Sequence, residues 1–483
     1  MSGDRLVTVV LWLMTAVAGL VLSCSGSGPV KYVGTDSGHE VEGGDYQYDY
    51  GADSDSEYDD GADGDYDGDG DYDGDGDADC DADADGDYDA DADCDADADF
   101  DVEGVDATDP PTVFATELVA ENACAPFASC RLYSVAHPGL LAEKSVDQTT
   151  QKDPDIATLF GGQTKPGPDR FVLHVGTGCG KLEGPTDAVM LVHGAGSNAM
   201  QSFVEPALIG TGLYQALTKA GHCVLAITFP HPFGNNFNQA IELAAALEQA
   251  RLLSGLSKLS VVAHSKGGMV AVTLASGFAG EVGLTYQDDI DRLVLLGVPL
   301  GGTDFSFRHP AFNFPAEYFQ LSMPSSWDKV LEWGVWKDTY ADSIYGGAFD
   351  GLLQLQAAWD EEYALSMFEQ DWYTTYYGGQ GFVSHSLGIA AAIELGGGFL
   401  GDLRTHDVPA SVAVHVASGG NPIINGVTWE ATGPSDGVVF RKSAEDAAML
   451  PGLAETKHFA LLNHWDLVAS SFAQDWIVDT LGK

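Results

Sequence analysis

Short runs that are apolar almost from end to end limit the folds open to this chain more than any other feature. They fall at 171–175, 188–192, 223–228, 259–263 and 292–298. A strand wetted on one face alternates apolar and polar residues, whereas a run without alternation is covered on both faces. Between these runs lie segments with helical spacing, at 212–220, 239–253 and 267–276. Strands covered on both faces and alternating with helices predict an α/β fold with a mostly parallel central sheet.

The N-terminal part obeys different rules. The 483 residues carry a formal net charge of -52, yet 33 of the 73 acids lie within 25–110, where Lys31 is the only base. From Asp63 to Asp101 every odd-numbered residue is Asp. Such a tract repels itself and has almost nothing to bury, so 25–110 is expected to be a disordered, extended linker. An EF-hand loop needs a Glu at its twelfth position. Counted from any odd-numbered Asp of the tract that position is even and never Glu, which excludes well-formed EF-hands and leaves a weak calcium association. The remaining 111–483 is only ordinarily acidic. Clustered Lys and Arg are missing throughout, which argues against nucleic acid and against adsorption to anionic lipid through a basic patch.

Ahead of the linker, 6–22 is an uncharged, mostly apolar stretch that follows Arg5 and ends at Ser23-Cys24. It reads as a signal peptide over 1–24. Val21-Leu22-Ser23-Cys24 resembles a bacterial lipobox, which implies lipidation at Cys24 and attachment to a membrane; plain secretion and an uncleaved anchor are the alternatives. Of the seven cysteines, six remain if Cys24 is lipidated, as suits an oxidising compartment. Cys124 and Cys130 are spaced for a local disulfide, and Cys80–Cys94 and Cys179–Cys223 are further pairings, with a buried free thiol as the alternative for Cys223.

The chemistry concentrates where the run at 259–263 meets the following helix, in Val261-Val262-Ala263-His264-Ser265-Lys266-Gly267-Gly268. This fits a nucleophile elbow with Ala263 at the first small position, so Ser265 should present its hydroxyl at the carboxyl edge of the sheet. A serine needs a base, and the base an orienting carboxylate. The chain resembles the α/β-hydrolase superfamily and, within it, bacterial triacylglycerol lipases and esterases. The matching segments are Val192-His193-Gly194-Ala195-Gly196, the elbow, Leu296-Gly297-Val298-Pro299-Leu300-Gly301-Gly302-Thr303, Ser435-Asp436-Gly437-Val438-Val439 and Asn463-His464-Trp465-Asp466-Leu467-Val468. The resemblance implies the α/β-hydrolase fold over 111–483. It implies Ser265 as nucleophile, Asp436 as acid and His464 as base, with the backbone N–H groups of Ala195 and Lys266 as oxyanion hole.

His458 rivals His464, but the Asn-His-x-Asp match favours the latter. His264 is expected to point away from the reaction and His193 to act as scaffold. In lipases sharing Asn-His-x-Asp the Asp often binds structural calcium. Asp466 has no acid between Asp407 and Glu430 to partner it, so it is read as a charge on the first turn of the last helix, and no metal or cofactor is expected.

Between Gly302 and the strand expected near 411–417 lie about 110 residues, far more than a connection needs. Residues 303–382 hold twenty aromatics, among them Phe312, Phe314, Trp327, Trp333, Trp336, Tyr376 and Tyr377. A lid or cap insertion over about 303–400 follows, its rings forming either an apolar surface for insoluble esters or the core of a rigid cap. The expectation is an exported enzyme that cleaves carboxylic esters of a lipid or other acyl substrate. A polyester, thioester or amide hydrolase, or a non-catalytic binding module on an acidic stalk, is the alternative.

Overall fold

The computed structural model describes residues 114–482 apart from 180–186, 206–210, 311–312, 314–322, 366–369 and 425. Cys24, the acidic tract, the Cys80–Cys94 pairing, Phe312 and Phe314 lie outside the described residues.

Nine strands build the central sheet: β1 (Ala115–Asn122), β2 (Ser129–Ala136), β3 (Arg170–Val175), β4 (Ala188–Val192), β5 (Cys223–Thr228), β6 (Leu259–His264), β7 (Ile290–Leu296), β8 (Ala413–Gly419) and β9 (Leu453–Phe459). Their spatial order is β1-β2-β3-β5-β4-β6-β7-β8-β9. The first three pair antiparallel, as does β3 with β5, and every pair from β5 to β9 is parallel. This mostly parallel sheet with one antiparallel flank has the architecture of the α/β-hydrolase fold.

Four helices cover it: α1 (Leu213–Ala220), α2 (Asn236–Ser254), α3 (Lys266–Ala275) and α4 (Ser471–Leu481). Met190, Val192, Leu225, Val261 and Leu293 pack with α2 and α3 on one face. Their chain neighbours Val189, Leu191, Val224, Val262 and Val294 pack with α1 and α4 on the other. Successive side chains of a strand point to opposite faces, so a run apolar at every position can be buried on both only in such a sandwich. Two disulfides brace the antiparallel side, Cys124–Cys130 and Cys179–Cys223, with Cα separations of 5.7 and 4.9 Å. Cys223 is thus paired and not a free thiol.

The aromatic insertion follows β7. It holds a small sheet of Lys329–Glu332, Val335–Asp338, Gly379–Gln380 and Ser384–Ser386 and the helices Gln370–Tyr377, Gly388–Leu395 and Phe399–Leu403. Its rings divide between two fates. Phe307, Tyr345, Phe349 and Tyr376 form a buried cluster, and Trp327, fully buried, donates Nε1–H to Thr375 Oγ1 at 2.8 Å. Trp333, Trp336, Tyr373, Tyr377 and Phe382 are exposed. The insertion is therefore a cap with its own core and an aromatic exterior. No helix among the described residues is long and apolar enough to cross a membrane.

Candidate active site

Steric crowding shapes the junction of β6 and α3. Ser265 takes φ 54° and ψ -132°, a conformation that costs a non-glycine residue about 1–3 kcal/mol and persists only when its surroundings impose it. They do so here. The Ser265 N–H donates to Leu296 O at 2.9 Å, and Ser265 O accepts from Gly268 N at 2.9 Å. A Cβ on Gly267 would lie 2.3 Å from His193 O, and one on Gly268 would lie 2.1 Å from Val298 Cγ2, so both positions exclude larger residues. Ser265 itself is half-buried at the carboxyl end of β6.

Asp436 follows β8 and is almost wholly buried, as is His464, which follows β9. The His464 Nδ1–H donates to Asp436 Oδ2 at 2.7 Å, and the His464 backbone N–H donates to Asp436 O at 2.9 Å. Asp436 Oδ1 accepts from the N–H groups of Val438 and Val439 at 3.0 and 2.8 Å. Both carboxylate oxygens are thus engaged by donors, which fixes the orientation of the carboxyl group. A ring donating through Nδ1 leaves Nε2 as its basic nitrogen.

Ser265 meets this pair across the end of β7. Leu296 holds the serine amide, and a Cβ on the next residue, Gly297, would lie 3.0 Å from Asp436 Oδ2 and 3.1 Å from His464 Nδ1. Among the described residues no hydrogen bond joins Ser265 Oγ to the His464 ring; such bonds often tighten only when substrate is bound.

Ala195 lies in the turn after β4, whose Gly194 would bring a Cβ within 2.8 Å of Ser265 Cβ. Lys266 opens α3, and the first N–H groups of a helix have no intrahelical acceptor. Neither the Ala195 nor the Lys266 amide donates to a backbone carbonyl among the described residues.

The neighbouring histidines have structural duties. His193 donates Nδ1–H to Gly194 O at 2.8 Å and accepts from Phe229 N at 3.2 Å, and burial holds it down at about 4. His264 donates Nε2–H to His464 O at 2.9 Å and is lowered by burial to about 3. The residue beside the serine therefore clamps the main chain of His464, a contact across 200 positions that no sequence pattern announces. His458 sits near the end of β9 against Ser418 and Glu445 and makes no hydrogen bond or ion pair with Asp436 among the described residues. Asp466 starts the short helix Asp466–Ala469 and not the last helix, α4, because Ser470 turns extended between the two; its N–H donates to Asn463 Oδ1 at 3.0 Å.

A buried polar network escaped the sequence reading. Arg308, in the cap, donates Nη2–H to Asp304 Oδ2 at 2.7 Å and Nη1–H to Tyr363 O at 2.7 Å, and its Nε lies 3.5 Å from Glu430. Glu430 also binds His309 at 2.8 Å. Its backbone N–H donates to Gly437 O at 3.1 Å, and its carbonyl accepts from Ser435 Oγ. The loop that carries Asp436 is thereby tied to the cap. The i,i+4 spacing of Asp304 and Arg308 was the one trace of it in the sequence.

No family model matches the chain, and no curated protein matches it. Solved structures do. A lipase of Bacillus licheniformis in its mature form is 16% identical, with TM-score 0.37 over 64% of this chain and 97% of that one. A lipase-esterase related protein from Clostridium acetobutylicum is 13% identical, with TM-score 0.32 over 64% and 97%. An enol-lactonase from Burkholderia xenovorans is 14% identical, with TM-score 0.33 over 65% and 97%. In its own strand order and its elbow the chain resembles the α/β-hydrolase superfamily.

Proposed function

We propose that this protein is a serine ester hydrolase, lipase- or esterase-like, with Ser265 as nucleophile, His464 as general base and acid, and Asp436 as the orienting carboxylate. The observation that carries the reading is the buried 2.7 Å pair of His464 and Asp436 packed on Gly297, one residue from the carbonyl that holds the Ser265 amide. His464 Nε2 takes the proton as Ser265 Oγ bonds to the acyl carbon. The former carbonyl oxygen becomes an oxyanion, met by the N–H groups of Ala195 and Lys266. As the bond to the leaving alcohol breaks, His464 returns the proton to the alcohol oxygen. Water, deprotonated by the same imidazole, then attacks the acyl-enzyme and releases the acid and Ser265. No step calls for a metal.

Export is part of the proposal. The leader-like 6–22 and the Cys124–Cys130 and Cys179–Cys223 disulfides support it, because disulfides persist in oxidising compartments. Attachment through Cys24, with the acidic linker as spacer, completes it.

Fluorophosphonate labelling of wild type and Ser265→Ala is the test. Wild type should label and the variant should not; unlabelled wild type should hydrolyse p-nitrophenyl esters, and labelling should abolish that turnover. Serine-independent labelling, or none, would sink the reading and favour a binding module. A preference for soluble amides over esters of any chain length would remove the lipase and esterase assignment.

A further inference from the structure

The mechanism above uses only the main chain of Lys266, yet its side chain is among the largest that are fully buried. Its Nζ donates to Gln239 Oε1 on α2, and Gln239 in turn donates Nε2–H to His231 O at 2.8 Å. The cap closes the slot. A Cβ on Gly351 would lie 2.3 Å from Lys266 Cε and 2.8 Å from Nζ, so the helix Asp350–Leu353 abuts the amine directly.

Two acids face this amine. Glu143, from the segment after β2, accepts the Asn235 N–H at 2.7 Å. Glu242, on α2, is 1% exposed, and its Oε2 has no hydrogen-bond partner among the described residues. The other titratable groups around the cluster are His231, His193, Asp350 and Asp169. Taking an ammonium and two carboxyls out of water is costly, and an apolar residue of equal length would fill such a slot at lower cost. A costly arrangement attached to the residue that follows the nucleophile calls for a functional reason.

We propose that Lys266 is a positioning residue: its side chain, clamped between Gln239 and the cap helix, fixes the direction of its own backbone N–H. The inference rests on the hydrolase reading given above. The peptide that joins Ser265 to Lys266 leaves a strained elbow, and its far side is held by a side chain buried at both α2 and the cap. Seating of the cap and aim of the oxyanion donor are therefore one property.

Protonation gives the cluster a recognisable signature. Burial lowers Lys266 to about 7, opposed by Glu143 and Glu242. Burial raises Glu143 to about 7 and Glu242 well above the carboxylate range. His231 and His193, each held near 4 by burial, are neutral there. As pH rises through about 7 the cluster loses positive charge, so turnover should fall on that limb.

The experiment compares full-length wild type, Lys266→Met and Glu143→Gln in serine labelling and in ester turnover across neutral pH. In Lys266→Met, kcat should drop about 10-fold or more, less than the loss of a whole oxyanion donor, with KM within about twofold and the limb near neutrality gone. Glu143→Gln keeps the volume but removes an acid that supports the ammonium, so its limb should move to lower pH. If Lys266→Met does not fold, the Glu143→Gln profile decides alone. Wild-type kcat and an unmoved limb in the folded variants would overturn the inference. A wild type that fails to label would instead overturn the hydrolase reading.

Discussion

In the central sheet, Val189, Leu191, Val262 and Val294 face one helix layer, and Met190, Val192, Val261 and Leu293 face the other. The cap interior is built differently. Arg308 lies wholly buried there beside the rings of Tyr376 and Phe440, at 5.6 and 5.2 Å from their centroids, and is bound to Asp304 and Glu430. The sheet is held by non-directional burial, which tolerates rearrangement of volume. The cap adds to its own apolar cluster a set of buried charges and hydrogen bonds that must each find a partner. The difference decides what each region can do. The sheet supplies rigid edges for Ser265, Asp436 and His464, while the cap, through Glu430, is wired to the Asp436 loop.

Four variants sharpen or break this contrast. The largest effect is expected from Asp436→Asn, which keeps the shape and removes the charge that orients His464. It should lower kcat about 10⁴-fold with little change in thermal unfolding. A loss under tenfold would remove Asp436 from its role.

Next comes Arg308→Met, which leaves Asp304 and Glu430 buried without their cation and should cost about 3–5 kcal/mol. Urea unfolding measures that cost. Ester turnover below the transition should fall as well, because the Asp436 loop loses its brace; unchanged turnover would uncouple cap and site.

Leu225→Ala opens a cavity in the sheet core and should cost about 3 kcal/mol. Here the folded protein should keep wild-type labelling of Ser265, and a loss of labelling would mean that sheet packing and site geometry are not separable.

The smallest effect is a slope. His193 is held near 4 in the fold against an ordinary value of about 6.5 in the unfolded chain. Between these values the unfolded state binds the extra proton, so stability contributed by the neutral ring is present above about 6.5 and lost as pH falls toward 4. In that window wild type should lose about 1 kcal/mol per pH unit more than His193→Asn, as read from urea midpoints. Parallel curves would refute the assignment of His193 as a neutral scaffold.

Legibility followed locality. The apolar runs became β3 to β7 because burial on both faces is written into consecutive residues, and the predicted run at 292–298 moved to Ile290–Leu296 because Gly297 turns at φ 57°. Around Ser265 the small residues announced the elbow, since only they fit against His193 O and Val298. Asp436 and His464 were legible through motifs, though their contact was not. The aromatic insertion was visible as composition, but composition does not separate Trp327, buried, from Trp333, fully exposed at a hairpin turn. For His264 the sequence supported only that it leaves the reaction alone, and its grip on His464 is a tertiary fact.

By itself the sequence determined the α/β class, the strand–elbow–helix unit with Ser265 at its turn, and a charge imbalance concentrated in 25–110. Each depends on periodicity or sterics within a few residues. The tertiary structure alone decided that Asp436 meets His464, that Arg308 bridges Asp304 and Glu430, and that Lys266 lies among Gln239, Glu143 and Gly351. Those partners are brought together by the order of strands and the seating of the cap, and a buried charge acquires its meaning only from what surrounds it.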